Sequence, residues 1–194
     1  PDRLRRGRVV ATFAHTRLRE RPPSGGVSVL CESAPFDPEL QEHAIRLLEP
    51  IGWHGVAMLE YKQHLRTGHP VLMEVNGRFW GSLQLAVDAG VDFPYLSCQL
   101  ALGQRLKLPV PYAVGVKSRW ALGDLDHLLA RLRHGRANLP DTAPSTWGAV
   151  VNFVRGAAPG VRGEMLRRDD PGPASRELCQ YLTSSFQSAR RRLR

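Results

Sequence analysis

Glu60, Glu74, Asn76 and Arg78 are the residues whose types and spacing can do chemistry in this chain. The last three stand two apart in VLMEVNGRFWG (71–81), where an apolar segment ends in an acid, an amide and a guanidinium. Glu60 lies in the preceding apolar segment, GVAMLEYK (55–62). If the two segments form an antiparallel hairpin turning at Thr67, Glu60 faces Glu74 with Cβ atoms about 5 Å apart. Strand alternation adds Asn76 to their face, and Arg78 joins them if the chain stays extended. Two opposed carboxylates repel, and a divalent cation resolves the conflict. Magnesium takes hard oxygen ligands, commonly one or two carboxylates completed by an amide, waters and substrate phosphates. An arginine fork beside it suits a carboxylate or a phosphate.

The elements that must position these residues read as follows. Segments 55–62 and 70–76 are the strands, joined by QHLRTGH, and Ala57, Leu59, Tyr61, Val71, Met73 and Val75 form the opposite face, expected to be core. A loop of this length also accommodates a β-bulge, which shifts the register by one. The alternative for the polar face is an ordinary solvated sheet surface on which Glu60 pairs with Lys62 or Arg78. Upstream, GRVVATFAHTRL (7–18) reads as a strand leading into a basic turn, RLRERPPSGG, and VSVL (27–30) as a second strand. Arg17, Arg19, Gly25 and Gly26 of that turn suit an anion, since glycines let backbone N–H groups approach closely. Arg19 is the weaker choice because Glu20 can pair with it.

Asp37-Pro38-Glu39 opens a helix with Leu40, Ala44, Leu47 and Leu48 as its apolar stripe and Gly52 near its end. Ser82 is placed to cap a helix closed by Gly90, and DFPYLSCQLALG starts another. Further on, 113–122 reads as a strand and 124–135 as a helix capped by Asp124, while 148–154 reads as a short strand. Residues 156–173 read as a Gly/Pro-rich connector, and 174–193 as a helix with Leu178, Tyr181, Leu182 and Phe186 on one side. This order favours an α+β fold. His15 is read as packed in the interior, Trp53 and His54 as turn and packing residues, and Phe79 and Trp80 as apolar plugs, with Trp80 also able to line a substrate wall.

The chain has 194 residues and a net charge of +9, of which the arginines at 3–8 and 190–194 supply +7 after Asp2 is counted. Charge concentrated at the ends reads as solvated tails, with a basic nucleic-acid-binding module as the alternative function. No apolar run is long enough to cross a membrane, and PDRLRRGR carries no signal region or initiator Met, so a cytoplasmic location is expected. Cys31, Cys98 and Cys179 are too few and too dispersed for a disulfide framework or a metal cluster, and read as buried or half-buried thiols.

The SGGVSV loop, Glu60 on one strand, ExNxR on its partner and AGVDFP, in this order, resemble the C-terminal half of an ATP-grasp domain. That is the fold of carbamoyl-phosphate synthase, biotin carboxylase and carboxylate-amine ligases, and the resemblance covers roughly residues 7–108. It implies an ATP-grasp C-terminal lobe over 1–108, an antiparallel sheet with packed helices. A C-terminal α/β appendage would follow over 109–155, and a connector with a basic helix over 156–194. It implies Mg2+, or Mn2+, at Glu60, Glu74 and Asn76 with ATP as the bound nucleotide, Arg78 steadying an acyl-phosphate, and Arg17 with Gly25 and Gly26 beside the phosphates. The implied partners are a small carboxylate, an amine or other nucleophile, and a preceding lobe bearing the Gly-rich loop and phosphate-binding lysines. Only Lys62, Lys107 and Lys117 occur here, none in such a loop, so the isolated chain is expected to hold half of an ATP site. The tail helix is a candidate surface for a homo-oligomer or for contact with another domain.

Overall fold

A computed structural model describes residues 9–192 except 65, 109, 138, 141 and 142, with the side chains at 185, 186 and 188–192 also outside the description. Its elements in chain order are β1 (His15–Arg21), β2 (Val27–Ser33), α1 (Pro38–Leu48), β3 (Met58–Gln63), β4 (Pro70–Asn76), α2 (Leu83–Ala89), α3 (Phe93–Ala101), β5 (Lys117–Arg119), α4 (Ala121–His134), α5 (Thr146–Arg155), β6 (Val161–Gly163) and α6 (Gly172–Arg192). They fall into two compact units, one running to His15 and over Ser33–Gly115, the other over Thr16–Glu32 and from Val116 onward. The mixture of sheets and helices is the α+β content expected.

In the first unit, Asp37 accepts from the Glu39 N–H at 2.9 Å and Pro38 occupies the first turn, so α1 begins where the sequence places it. Leu40, Ala44 and Leu48 are half-buried while Leu47 is exposed. Ser82 precedes α2 but does not cap it; its Oγ lies 3.1 Å from His15 Nε2 instead. Gly90, at φ 114, closes α2, and Asp92 caps α3 by accepting from the Tyr95 N–H at 2.9 Å. Leu85, Ala86, Ala89 and Val91 are the buried apolar residues here.

The second unit contains a sheet in the order β1-β2-β5-β6, with β2 antiparallel to β5 and β5 parallel to β6. Several expectations give way here. Of the strand expected over 7–18, residues 7 and 8 lie outside the described residues and 9–14 are not strand; β1 starts at His15, so Arg17 and Arg19 lie on β1 and not in a turn. The reason is long-range: Arg19 and Arg21 meet Asp124 and Asp126 of α4, at 2.6 and 3.0 Å, and these carboxylates hold a basic segment extended. Asp124 is accordingly no cap. Helix α4 starts three residues earlier, and Asp124 lies fully buried in its first turn. The expected strand at 148–154 is α5, because Ser145 accepts from the Gly148 N–H at 3.1 Å and caps it, while Ala149 is buried. The expected connector contains β6. Cys31 is buried, and burial pushes its thiol up to about 12, but Cys98 and Cys179 are exposed on helices, contrary to expectation. Leu178 and Leu182 are about half exposed and Tyr181 half-buried on α6, while the Phe186 side chain lies outside the description.

Just after β6, the Glu164 N–H donates to Arg119 O at 2.9 Å, which seats the Glu164 carboxyl near Cys31, Glu177 and Arg167. Burial first, then the Glu177 charge, push Glu164 up to about 7, with Arg167 opposing. The unfolded chain therefore releases this proton at lower pH than the folded one, and stability falls as pH rises from about 4.5 to 7. The loss amounts to about 3 kcal/mol at most. Glu164→Gln is expected to flatten that slope and to stabilise the protein at pH 8, as read from urea midpoints across pH; an unchanged profile refutes the assignment.

Candidate functional site

Strands β3 and β4 pair antiparallel, with Glu60 directly opposite Glu74, Leu59 opposite Val75 and Met58 opposite Asn76. The two carboxylates thus share one face, as the turn at Thr67 predicts. Nearer the turn the register slips by one: Tyr61 faces Leu72, Lys62 faces Val71, and Met73 is the extra residue of a β-bulge. Opposed residues share a face, so Val71 moves to the glutamate face and Leu72 joins Leu59, Tyr61 and Val75. Nor is that apolar face core. Leu72 and Val75 are each 39% exposed, and Val71 and Met73, also expected in the core, are 53 and 51% exposed.

Glu60 and Asn76 are half-buried, while Glu74 and Arg78 are exposed. The Asn76 Nδ2 donates to Glu74 Oε1, so amide and carboxylate are already in contact. The chain does not stay extended to Arg78. Strand β4 ends at Asn76, Gly77 and Arg78 form a bend, and Arg78 Nη1 donates to Phe79 O at 3.0 Å. Among the described residues no three His, Cys, Asp or Glu side chains are gathered to hold a metal ion. Two carboxylates and an amide nevertheless fit magnesium, whose remaining positions go to water and substrate phosphates.

Sequence reasoning passed over Gly77. A methyl group there would overlap the edge of the Trp53 indole, so this glycine is where a ring reaches the end of β4. A glycine set between Asn76 and Arg78 was the available signal. Trp80 stands edge-on to Phe93 with ring centroids 5.3 Å apart, and His15 stacks on Phe13 at 5.9 Å, which agrees with packing roles.

Arg17, Gly25 and Gly26 belong to the other unit. Arg17 Nη1 donates to Glu20 Oε1 at 3.1 Å and to Gly26 O at 3.2 Å, so Glu20 pairs with Arg17 and not with Arg19. Gly25 has φ 127 and gives its N–H to Pro22 O at 3.1 Å. A side chain on Gly26 would strike Arg21 O and Pro22 Cδ. The two glycines thus have a local task, closing the turn between β1 and β2.

No curated protein and no solved structure matches the chain. The family described as "ATP-grasp in the biosynthetic pathway with Ter operon" matches residues 3–122, a span that takes in all seven of these positions. The match covers more than half of the sequence, and the chain belongs to the ATP-grasp family.

Proposed function

We propose that the protein is an ATP-dependent ligase of the carboxylate-amine type that works through an acyl-phosphate. Family membership supports an ATP-dependent ligase, and one observation carries the site: Glu60 opposite Glu74, with Asn76 donating to Glu74. Glu60, Glu74 and Asn76 would hold magnesium, which when bound neutralises the phosphate oxygens of ATP. A substrate carboxylate oxygen then attacks the γ-phosphorus, the bond from that phosphorus to the ADP oxygen breaks, and the acyl-phosphate forms. An amine attacks its carbonyl carbon, phosphate leaves, and the amine proton passes to solvent. Arg78 contributes a bidentate donor fork to the carboxylate or the transferred phosphate once it exchanges its bond to Phe79 O. The chemistry rests on positioning and charge neutralisation.

The products test this. ATP consumed with an acid and an amine should yield ADP and phosphate, and hydroxylamine in place of the amine should trap a hydroxamate. AMP and pyrophosphate would instead indicate an acyl-adenylate and overturn the reading. A nucleic-acid role draws less support: Arg19 and Arg119 are committed to Asp124 and Arg21 to Asp126, while the arginines at 3–8 and the side chains at 190–194 lie outside the described residues. None of the described helices is long and apolar enough to cross a membrane.

A further inference from the structure

Gly77 separates the amide of Asn76 from the guanidinium of Arg78, at the bend where β4 ends. Its φ is not positive, so the backbone there would accept any residue. What excludes a side chain is Trp53. A Cβ on Gly77 would overlap Cη2 of the indole and lie 2.7 Å from Cζ2, with Cζ3 at 3.5 Å. The ring edge therefore rests directly on the Gly77 backbone. Trp53 reaches it from the turn after α1, where its N–H donates to Leu48 O at 3.1 Å and the Gly52 N–H donates to Glu49 O at 2.9 Å. Trp53 is 38% exposed as a residue, so it meets both protein and solvent.

We propose that Trp53 is a positioning residue of the site: its indole braces Gly77 and so fixes the bend that sets Asn76 beside Glu74 and turns Arg78 away from the strand. This rests on the ligase reading above, in which Asn76 holds a metal and Arg78 the reacting anion. The hairpin needs such a brace because β4 has a single strand partner among the described residues and no buried residue of its own. A strand end held only by its ladder frays, and a metal set loses affinity when its supporting contacts loosen. The indole supplies the support from outside the sheet.

The natural protein with Trp53→Ala should require about tenfold more Mg2+ for half-maximal ATP consumption, with kcat lowered about tenfold, since removing the support of metal ligands costs 10- to 100-fold. Mn2+ binding, followed by the electron paramagnetic resonance of the free ion, should weaken in parallel and gives a readout that does not depend on turnover. Gly77→Ala should shift both measures the same way, because methyl and indole cannot share the space. In that background Trp53→Phe, whose shorter ring leaves room for the methyl, should recover most of the metal affinity. Two results overturn the inference: unchanged metal dependence in Trp53→Ala and Gly77→Ala, or losses that track only the fraction of folded protein. Glu74→Gln separates the two levels. If it too leaves metal binding unchanged, the site itself is misassigned; if it abolishes binding while Trp53→Ala does nothing, the brace alone is wrong.

Discussion

Glu74→Gln is expected to lower metal-dependent ATP consumption by about three orders of magnitude, in line with losses of strong charge-stabilising groups at phosphoryl-transfer sites. The same substitution should leave the fold intact. Glu74 is exposed, and its Oε1 accepts from Asn76 Nδ2, a bond that the glutamine carbonyl oxygen can still accept. Removing one of two carboxylates directly opposed across the ladder also relieves repulsion, worth about 0.2–1 kcal/mol. Activity and stability should therefore move in opposite directions. Turnover measured beside a urea midpoint checks both, and a variant that keeps its turnover removes Glu74 from the site. An ordinary solvated sheet face would show the gain in stability and no loss of activity.

The largest effect on folding is expected at Asp124. Its buried carboxylate accepts from Arg19 Nε and Nη2 at 2.6 Å each and from Arg119 Nε at 2.6 Å. The guanidiniums complete their bonding with Asn152 O at 3.0 Å and Phe153 O at 3.2 Å, so one carboxylate ties β1, β5 and α5 to α4. Asp124→Ala leaves two nearly buried cations facing each other without their counter-ion, and breaking such pairs costs about 3–5 kcal/mol. Against a usual total of about 5–15 kcal/mol, that is enough to unfold much of the population. Asp126→Asn is the control. Its ion pair is to Arg21, whose side chain is 46% exposed, and the change should cost about 1 kcal/mol or less. Denaturant midpoints for the two variants that fall together would refute this ranking.

The hairpin was legible because its signals are local: two apolar segments, a Thr-Gly turn, and carboxylates at matching distances from it. The bulge at Met73 was not, since nothing in 70–76 distinguishes the extra residue until the partner strand is laid beside it. The misread elements share a cause. GAVVNFV is β-branched enough for a strand, but Ser145 starts a helix and α4 receives it, so packing overrides a weak propensity. Three-residue β6 has too little length for periodicity and exists because β5 pairs with it. Arg19 and Asp124 stand 105 positions apart, and a strand made straight by a distant carboxylate leaves no mark in its own sequence. At the site, residue types were readable, whereas the Trp53 contact required the bend at Gly77 to be seen in space.

The backbone passes between the two units at 15/16, 32/33 and 115/116. Strands β1 and β2 precede the hairpin in sequence, yet they complete the sheet with β5 and β6, which follow it. No single cut in the gene releases either unit whole: a product ending near residue 108 would keep β2 and lose the strand that pairs with it. A truncation there therefore removes part of both units at once, the β5 and β6 strands of one and the last residues of the other.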